Sequence, residues 1–362
     1  MLVLAVLLVP VPVTPTVEAC TSFDASSNTI LVECNNTDFQ TVALENPTRI
    51  INEGNGVFVV NSIVQVDANK SLNIKAPGVS YVKIAGENGL EGVGSIYLDG
   101  VKVTSWKTAS QGVVPQDVEG SVIRGWVVGL PGTGVLDIRN SELGYLGYAL
   151  SERQGVAWYN SNGRLLDSEI HHNFYGMYGA KMSNFLAERN ELDSNIRYGF
   201  DPHTGAHDSV FRGNNITNTL NGGAMVCSLD CYNIRFEKNY MENQRTGILL
   251  SRNMSNSIVR GNTIINTFVT AISVADSANN LIENNHIFGS QFGITVKSLR
   301  PQYATGHNGI VSNDLHNVTE SGIWIRPDTS YNIVFDNLIQ GADPPVLDES
   351  PTTLIYNNTV IE

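Results

Sequence analysis

Gly247-Ile-Leu-Leu-Ser-Arg-Asn253, followed by Asn262-Thr-Ile264, is one unit of a pattern that the second half of the chain repeats. An apolar-flanked small residue recurs at Gly176, Gly199, Gly223, Gly247, Ala271, Gly293 and Gly322, at spacings of 23, 24, 24, 24, 22 and 29. A second column, Asn-x-(Ile/Leu/Met), falls at Asn190, Asn214, Asn239, Asn262, Asn285, Asn313 and Asn337, at spacings of 24, 25, 23, 23, 28 and 24. Two independent columns keep one period. A repeat of this length, built of short strands with no helical stretch, predicts an all-β parallel β-helix in which each coil buries its apolar face against its neighbours.

Strand side chains alternate between faces, so the columns also predict direction. One and three residues after the small residue stand Met177, Phe200, Ala224, Ile248, Ile272, Ile294, Ile323 and Gly179, Pro202, Val226, Leu250, Val274, Val296, Ile325, which are expected in the core. Two and four after it stand Tyr178, Asp201, Met225, Leu249, Ser273, Thr295, Trp324 and Ala180, His203, Cys227, Ser251, Ala275, Lys297, Arg326, which are expected to face out. The Asn column is expected to stack in a turn, amide on amide, as polar ladders do in cross-β structures. Residues Ser298–His307 lengthen one coil and predict a loop beside it.

Residues 20–140 read as an N-terminal β region that starts the helix, with irregular loops over Thr104–Glu152, and residues 141–343 as the regular coils. Past Pro344-Pro345 the pattern fades, and residues 344–362 are expected to cap the open end. Only 16% of residues are charged and 33 are Gly, a balance that suits a turn-rich β protein. A net charge of −13 argues against nucleic acid as the partner, since phosphate binding depends on released counterions. A polyanionic substrate would need a local basic groove. The apolar run Leu2–Val13 is too short to span a bilayer and, with the small residues up to Ala19, reads as a signal peptide over residues 1–19. Export fits an even cysteine count, with Cys20 paired to Cys34 and Cys227 to Cys231. It also fits the sequons at Asn35, Asn69, Asn215, Asn253, Asn317 and Asn357. A secreted, extracellular or wall-bound glycoprotein is the expectation.

Within the repeat, Arg197-Tyr-Gly-Phe-Asp-Pro-His203 sets a phenol, a carboxylate and an imidazole within six residues. Asp201 and His203 are expected on one outward face, and Tyr198 joins them only if the chain bends at Gly199. Lys181 lies one coil before and Arg252 two coils after, and His207 follows in the next turn. A phenol and an imidazole can exchange protons near neutrality, and a cation can mask an anionic group, so the set suits removal of a proton α to a carboxylate. Outward aromatics at Tyr178 and Trp324 are candidate platforms for sugar rings.

Tyr198-Gly-Phe-Asp-Pro-His203 resembles the Tyr-Gly-Phe/Ile-Asp-Pro-His motif of the mannuronan (alginate) C5-epimerases, which are right-handed parallel β-helix enzymes. Tyr175-Gly-Met-Tyr178, the Asn column and Gly247–Asn253 are similar in register, over roughly Asp167 to Asn337. The resemblance implies that an anionic polysaccharide has its mannuronate residues inverted at C5 to guluronate. It implies His203 and Tyr198 as base and acid, in an order left open, Asp201 at the substrate carboxylate, and a cation there, Lys181 or Arg252. The bacterial pattern's His before the next coil's glycine is Gly222 here, and its Arg a few residues later falls near Ser228-Leu229. Two rivals remain. A β-helix lyase would begin with the same proton abstraction, but the acidic cluster that holds calcium in such enzymes is not evident, Asp201 with Asp208 being too thin. No cofactor is required by the sequence, and a role for Ca²⁺, although open, has no support in it. A non-catalytic carbohydrate-binding β-helix would need no Tyr/Asp/His set.

Overall fold

The computed structural model describes residues 19–361, so the expected signal peptide lies almost wholly outside the described residues. A hairpin of Thr21–Asp24 with Thr29–Val32, pinned by the Cys20–Cys34 disulfide, opens the described chain. Parallel coiling starts at once, because Thr29–Val32 pairs in parallel with Ile63–Val66. The two-turn helix Phe39–Glu45 turns Phe39, Val42 and Ala43 inward, with Phe39 edge-on to Phe58 at 5.4 Å. This packing covers the N-terminal end of the core.

Each coil lays one strand on each of three faces. The groove face runs through Gly155–Tyr159, Tyr175–Ala180, Phe200–His203 and Gly223–Ser228, then the second halves of Tyr240–Ser251, Thr263–Ala275 and His286–Lys297. A second face runs through Glu142–Gly144, Glu169–His171, Glu191–Asp193 and Asn215–Thr217. The third is a separate 13-stranded parallel sheet ending at Leu354–Tyr356. The region expected as irregular loops supplies strands as well: Trp126–Gly129 is buried throughout and pairs with Gly155–Tyr159. Its unbroken apolar run lacks the alternation that marks a half-exposed strand, which hides it from a period-2 search. After Pro345, Val346–Asp348, Leu354–Tyr356 and Thr359–Ile361 add a further coil to all three faces.

The glycine column has a steric cause. A Cβ at Gly176, Gly199, Gly223, Gly247, Gly293 or Gly322 would stand 2.3–2.7 Å from a carbonyl oxygen of the following coil. The Asn column is a buried ladder: each Oδ1 from Asn214 to Asn337 accepts both the N–H and an Nδ2–H of the preceding coil's Asn, at 2.8–3.1 Å. Replacing Asn262 by leucine orphans the Asn239 N–H and the Phe236 carbonyl in a dry interior. At about 1–3 kcal/mol per buried unpaired group, the denaturant midpoint is expected to fall clearly below the parent's. An unchanged midpoint would show the ladder to be energetically idle.

Alternation places Met177, Phe200, Ile248, Ile272, Ile294 and Ile323 in the core as expected. One coil departs. Phe200 pairs with Met225 and His203 with Ser228, so the strand is shifted by one residue against the glycine count. Met225 and Cys227 therefore belong to the core cluster, and Val226 and Ser228 take the groove positions expected for Met225 and Cys227. The inward turn of Cys227 lets it join Cys231 in a disulfide inside the coil, directly behind Pro202.

Candidate active site

Asp201 and His203 stand on the groove face because Phe200, between them and the core, is locked in a buried aromatic row with Phe211 at 5.2 Å. Strand pairing sets Tyr178 opposite Asp201 on one side. On the other side His203 pairs with Ser228. Tyr198 precedes the strand, between bends at Arg197 and Gly199, and so escapes the alternation that would bury it. Its ring lies 5.9 Å from that of Tyr175, and the Tyr178 ring lies 5.6 Å from His203. Tyr159 continues this wall, 5.4 Å from Tyr178.

Burial dictates the charge states. Asp201 is 3% exposed, and its Oδ1 has no hydrogen-bond partner among the described residues. Desolvation holds its carboxyl well above the usual carboxylate range, with Arg252 opposing. Desolvation, helped by the Arg252 charge, brings His203 down to about 4. Tyr198 is pushed up by burial and then by Asp201, against the pull of Arg197, Arg252 and Arg245. At neutral pH the site thus holds a neutral imidazole and a protonated phenol, beside a carboxyl that burial makes reluctant to ionise. His203 Nδ1 lies 2.6 Å from Thr204 Oγ1. The tautomer whose Nδ1–H donates to that hydroxyl leaves Nε2 with a free lone pair.

Of the two cations expected here, Arg252 is the one the fold brings in. It sits at a left-handed corner with φ 55° and reaches back one coil to donate to the Ser228 hydroxyl, beside His203. Lys181 occupies the equivalent corner with φ 54°, but it is exposed and its Cγ lies near Gly205. His207 is carried away from the trio: Thr204–Ala206 turns the chain onto the third face, where His207 stacks on Tyr232 at 4.8 Å and bonds Asp208 at 2.8 Å. Trp324 shares the groove face but lies five coils from Asp201, about 24 Å at the usual strand spacing. It cannot touch the same sugar as His203. No side chain fits at 222, since a Cβ there would stand 1.6 Å from the Arg197 carbonyl oxygen and 2.9 Å from the Tyr198 ring.

Groove residues beyond those singled out from the sequence are Arg245, Thr246, Thr270, Ser273 and Lys297, which with Tyr198 line a trough of about 300 Å³ along the coils. Lys297 carried a signal, since it falls in the same outward column as His203. Arg245 did not, because it lies outside the alternating part of its coil.

Two family models match the chain: "Periplasmic copper-binding protein (NosD)" over residues 203–362 and "Right handed beta helix region" over residues 127–268. Among the described residues no three His, Cys, Asp or Glu side chains are placed to hold a metal, and all four cysteines are in disulfides. The residues present do not fit a copper site. The chain is 25% identical over 265 residues to a mannuronan C5-epimerase of Pseudomonas putida, covering 67% of this chain and 50% of that protein. A mannuronan C5-epimerase of Pseudomonas syringae pv. tomato is 27% identical over 164 residues, 41% of this chain and 31% of that one. The chain thus spans about half the length, or less, of the curated relatives it matches. The crystal structure of the periplasmic alginate epimerase AlgG superposes with a TM-score of 0.82 at 19% identity, over 92% of this chain and 85% of that one. The A-module of the Azotobacter vinelandii epimerase AlgE6 gives 0.53 at 15% identity, over 85% and 91%. These superpositions bear on the fold, a parallel β-helix.

Proposed function

We propose that the chain is a polyuronate C5-epimerase that converts β-D-mannuronate to α-L-guluronate within an alginate-like polymer. The observation that carries this reading is the pairing of a neutral His203 with a protonated Tyr198 in one groove, beside the Arg252 guanidinium and the buried Asp201 carboxyl. Arg252 and Asp201 receive the C6 carboxylate, whose negative charge grows as the C5–H bond breaks. Preorganised charge at that point is the largest expected catalytic contribution. His203 Nε2 takes the C5 proton and the electron pair passes into the carboxylate. The Tyr198 hydroxyl then returns a proton to the opposite face of C5, and solvent restores both groups. The exchange is redox-neutral and breaks no glycosidic bond. Tyr178, Tyr175 and Tyr159 provide an aromatic wall for the sugar ring.

The names of the relatives, the two disulfides and the carboxylate-binding chemistry support an extracytoplasmic polysaccharide enzyme; we place it in a periplasm, a wall or the medium. Purified protein incubated with polymannuronate is expected to yield guluronate anomeric signals by proton NMR. Unsaturated ends in their place would mean elimination, and an unchanged polymer that binds would mean a non-catalytic lectin.

The protonation states give the pH dependence. His203 acts when neutral, so kcat/KM is expected to hold steady from pH 7 downward and to fall only as pH approaches about 4. Tyr198 acts when protonated, and burial raises its phenol above the ordinary value, so rate is expected to decline only on the far alkaline side as that proton is lost. An acid limb centred near 6.5, the ordinary imidazole value, would remove His203 as the base.

A further inference from the structure

Charged groups on the third face of this solenoid are neutralised coil to coil: Arg189 pairs with Asp167 at 2.7 Å, Arg212 with Glu188, and Arg260 with Glu283. The far end of the groove breaks this habit. Lys297 and Arg326 follow one another in the His203 column on adjacent coils, and neither has a salt-bridge partner among the described residues. Asp276, the carboxylate whose charge is felt at Lys297, is taken by the Arg300 guanidinium at 2.7 Å and by the Leu299 and Arg300 amides. Glu349, one coil beyond Arg326, accepts instead from Trp324 Nε1 at 2.8 Å. Arg326 lies over the Trp324 ring at 4.8 Å, and Phe292 packs 5.4 Å from the same ring. Lys297 is half-buried, and burial together with the Arg326 charge lowers its proton affinity. Two mutually repelling, partly desolvated cations held side by side without a counter-ion make a place for an anion.

We propose that Lys297 and Arg326, the latter held in place over the Trp324 ring, form a distal subsite that binds the carboxylate of a second uronate residue on the same polymer. The trough supplies the path, since it runs unbroken from Tyr198 past Arg245 and Ser273 to Lys297. Lys297 lies four coils from His203, about 19 Å at the usual spacing between parallel strands. An extended β-1,4-linked pyranose chain rises by a similar amount per residue, so the second carboxylate belongs to a sugar about four units from the reacting one. Glu349 at the next coil sets a like-charge boundary beyond which a polyanion is repelled. The enzyme would therefore measure chain length, and substrates that end before Lys297 would forgo this contact. This inference rests on the epimerase reading of the trio.

The test compares the parent with Lys297→Gln and Arg326→Gln on mannuronate oligomers of defined length, following both binding and conversion. On octamers, KM is expected to rise roughly tenfold in either variant, the worth of one charge-assisted contact, with kcat little changed. On tetramers productively bound at His203, the ratio of variant to parent KM is expected to stay near one. Equal KM for parent and variants on octamers overturns the distal subsite alone, as does an equal loss on both lengths, which would place Lys297 at the reacting unit. A parent that neither binds nor converts any polymannuronate overturns the epimerase reading and this subsite together.

Discussion

Alanine in place of His203 is expected to lower the rate of mannuronate conversion by about 10²–10⁴-fold, the usual contribution of a positioned general base, while the protein remains folded. The side chain is half-buried on the groove face, and among the described residues its only hydrogen bond is to Thr204. Its loss leaves Phe200 and Pro202 to hold the coil. Tyr198→Phe removes the opposing proton donor and is expected to reduce conversion over the same range, while any exchange of the C5 hydrogen with solvent from the His203 face persists. The two variants thereby separate base from acid. If both retain full activity with unchanged denaturation midpoints, the proton-transfer assignment fails.

The second large effect is expected at Arg252. Its guanidinium is the cation whose charge reaches Asp201, His203 and Tyr198 together. Arg252→Ala is expected to reduce kcat by about 10²–10³-fold, in line with the loss of one preorganised stabiliser of developing negative charge. The His203 imidazole should at the same time become easier to protonate, since a neighbouring positive charge is gone, so the acid limb of the rate profile moves to higher pH. Lys181→Ala, at the equivalent corner three coils earlier, is expected to change kcat by no more than a few-fold, because its side chain is exposed and lies against Gly205. An opposite ranking of the two cations would move the carboxylate to the Lys181 side of the groove.

The period of the solenoid was legible because two steric and polar requirements repeat once per coil. A Cβ cannot stand beneath the next coil's carbonyl, and a buried amide must be answered by another, so glycine and asparagine recur in columns. The slip at Met225 was not legible, because Ala224, Met225, Val226 and Cys227 are all apolar enough to face either way. Choice between Lys181 and Arg252 also lay beyond the pattern. Both follow a groove strand at a left-handed corner, and counting coils favours Lys181, which is nearer to His203. What decides is reach: Arg252 turns back over the small Ser228. His207 shows the converse, since four residues from His203 in sequence is enough to turn a corner onto another face.

The most direct test is to incubate polymannuronate with the protein in deuterium oxide and follow C5 of the product by NMR. The proposed mechanism requires guluronate residues carrying deuterium at C5, in a polymer of unchanged length without unsaturated ends. Guluronate that retains protium at C5, unsaturated chain ends, or mannuronate left intact by a folded protein would each contradict it.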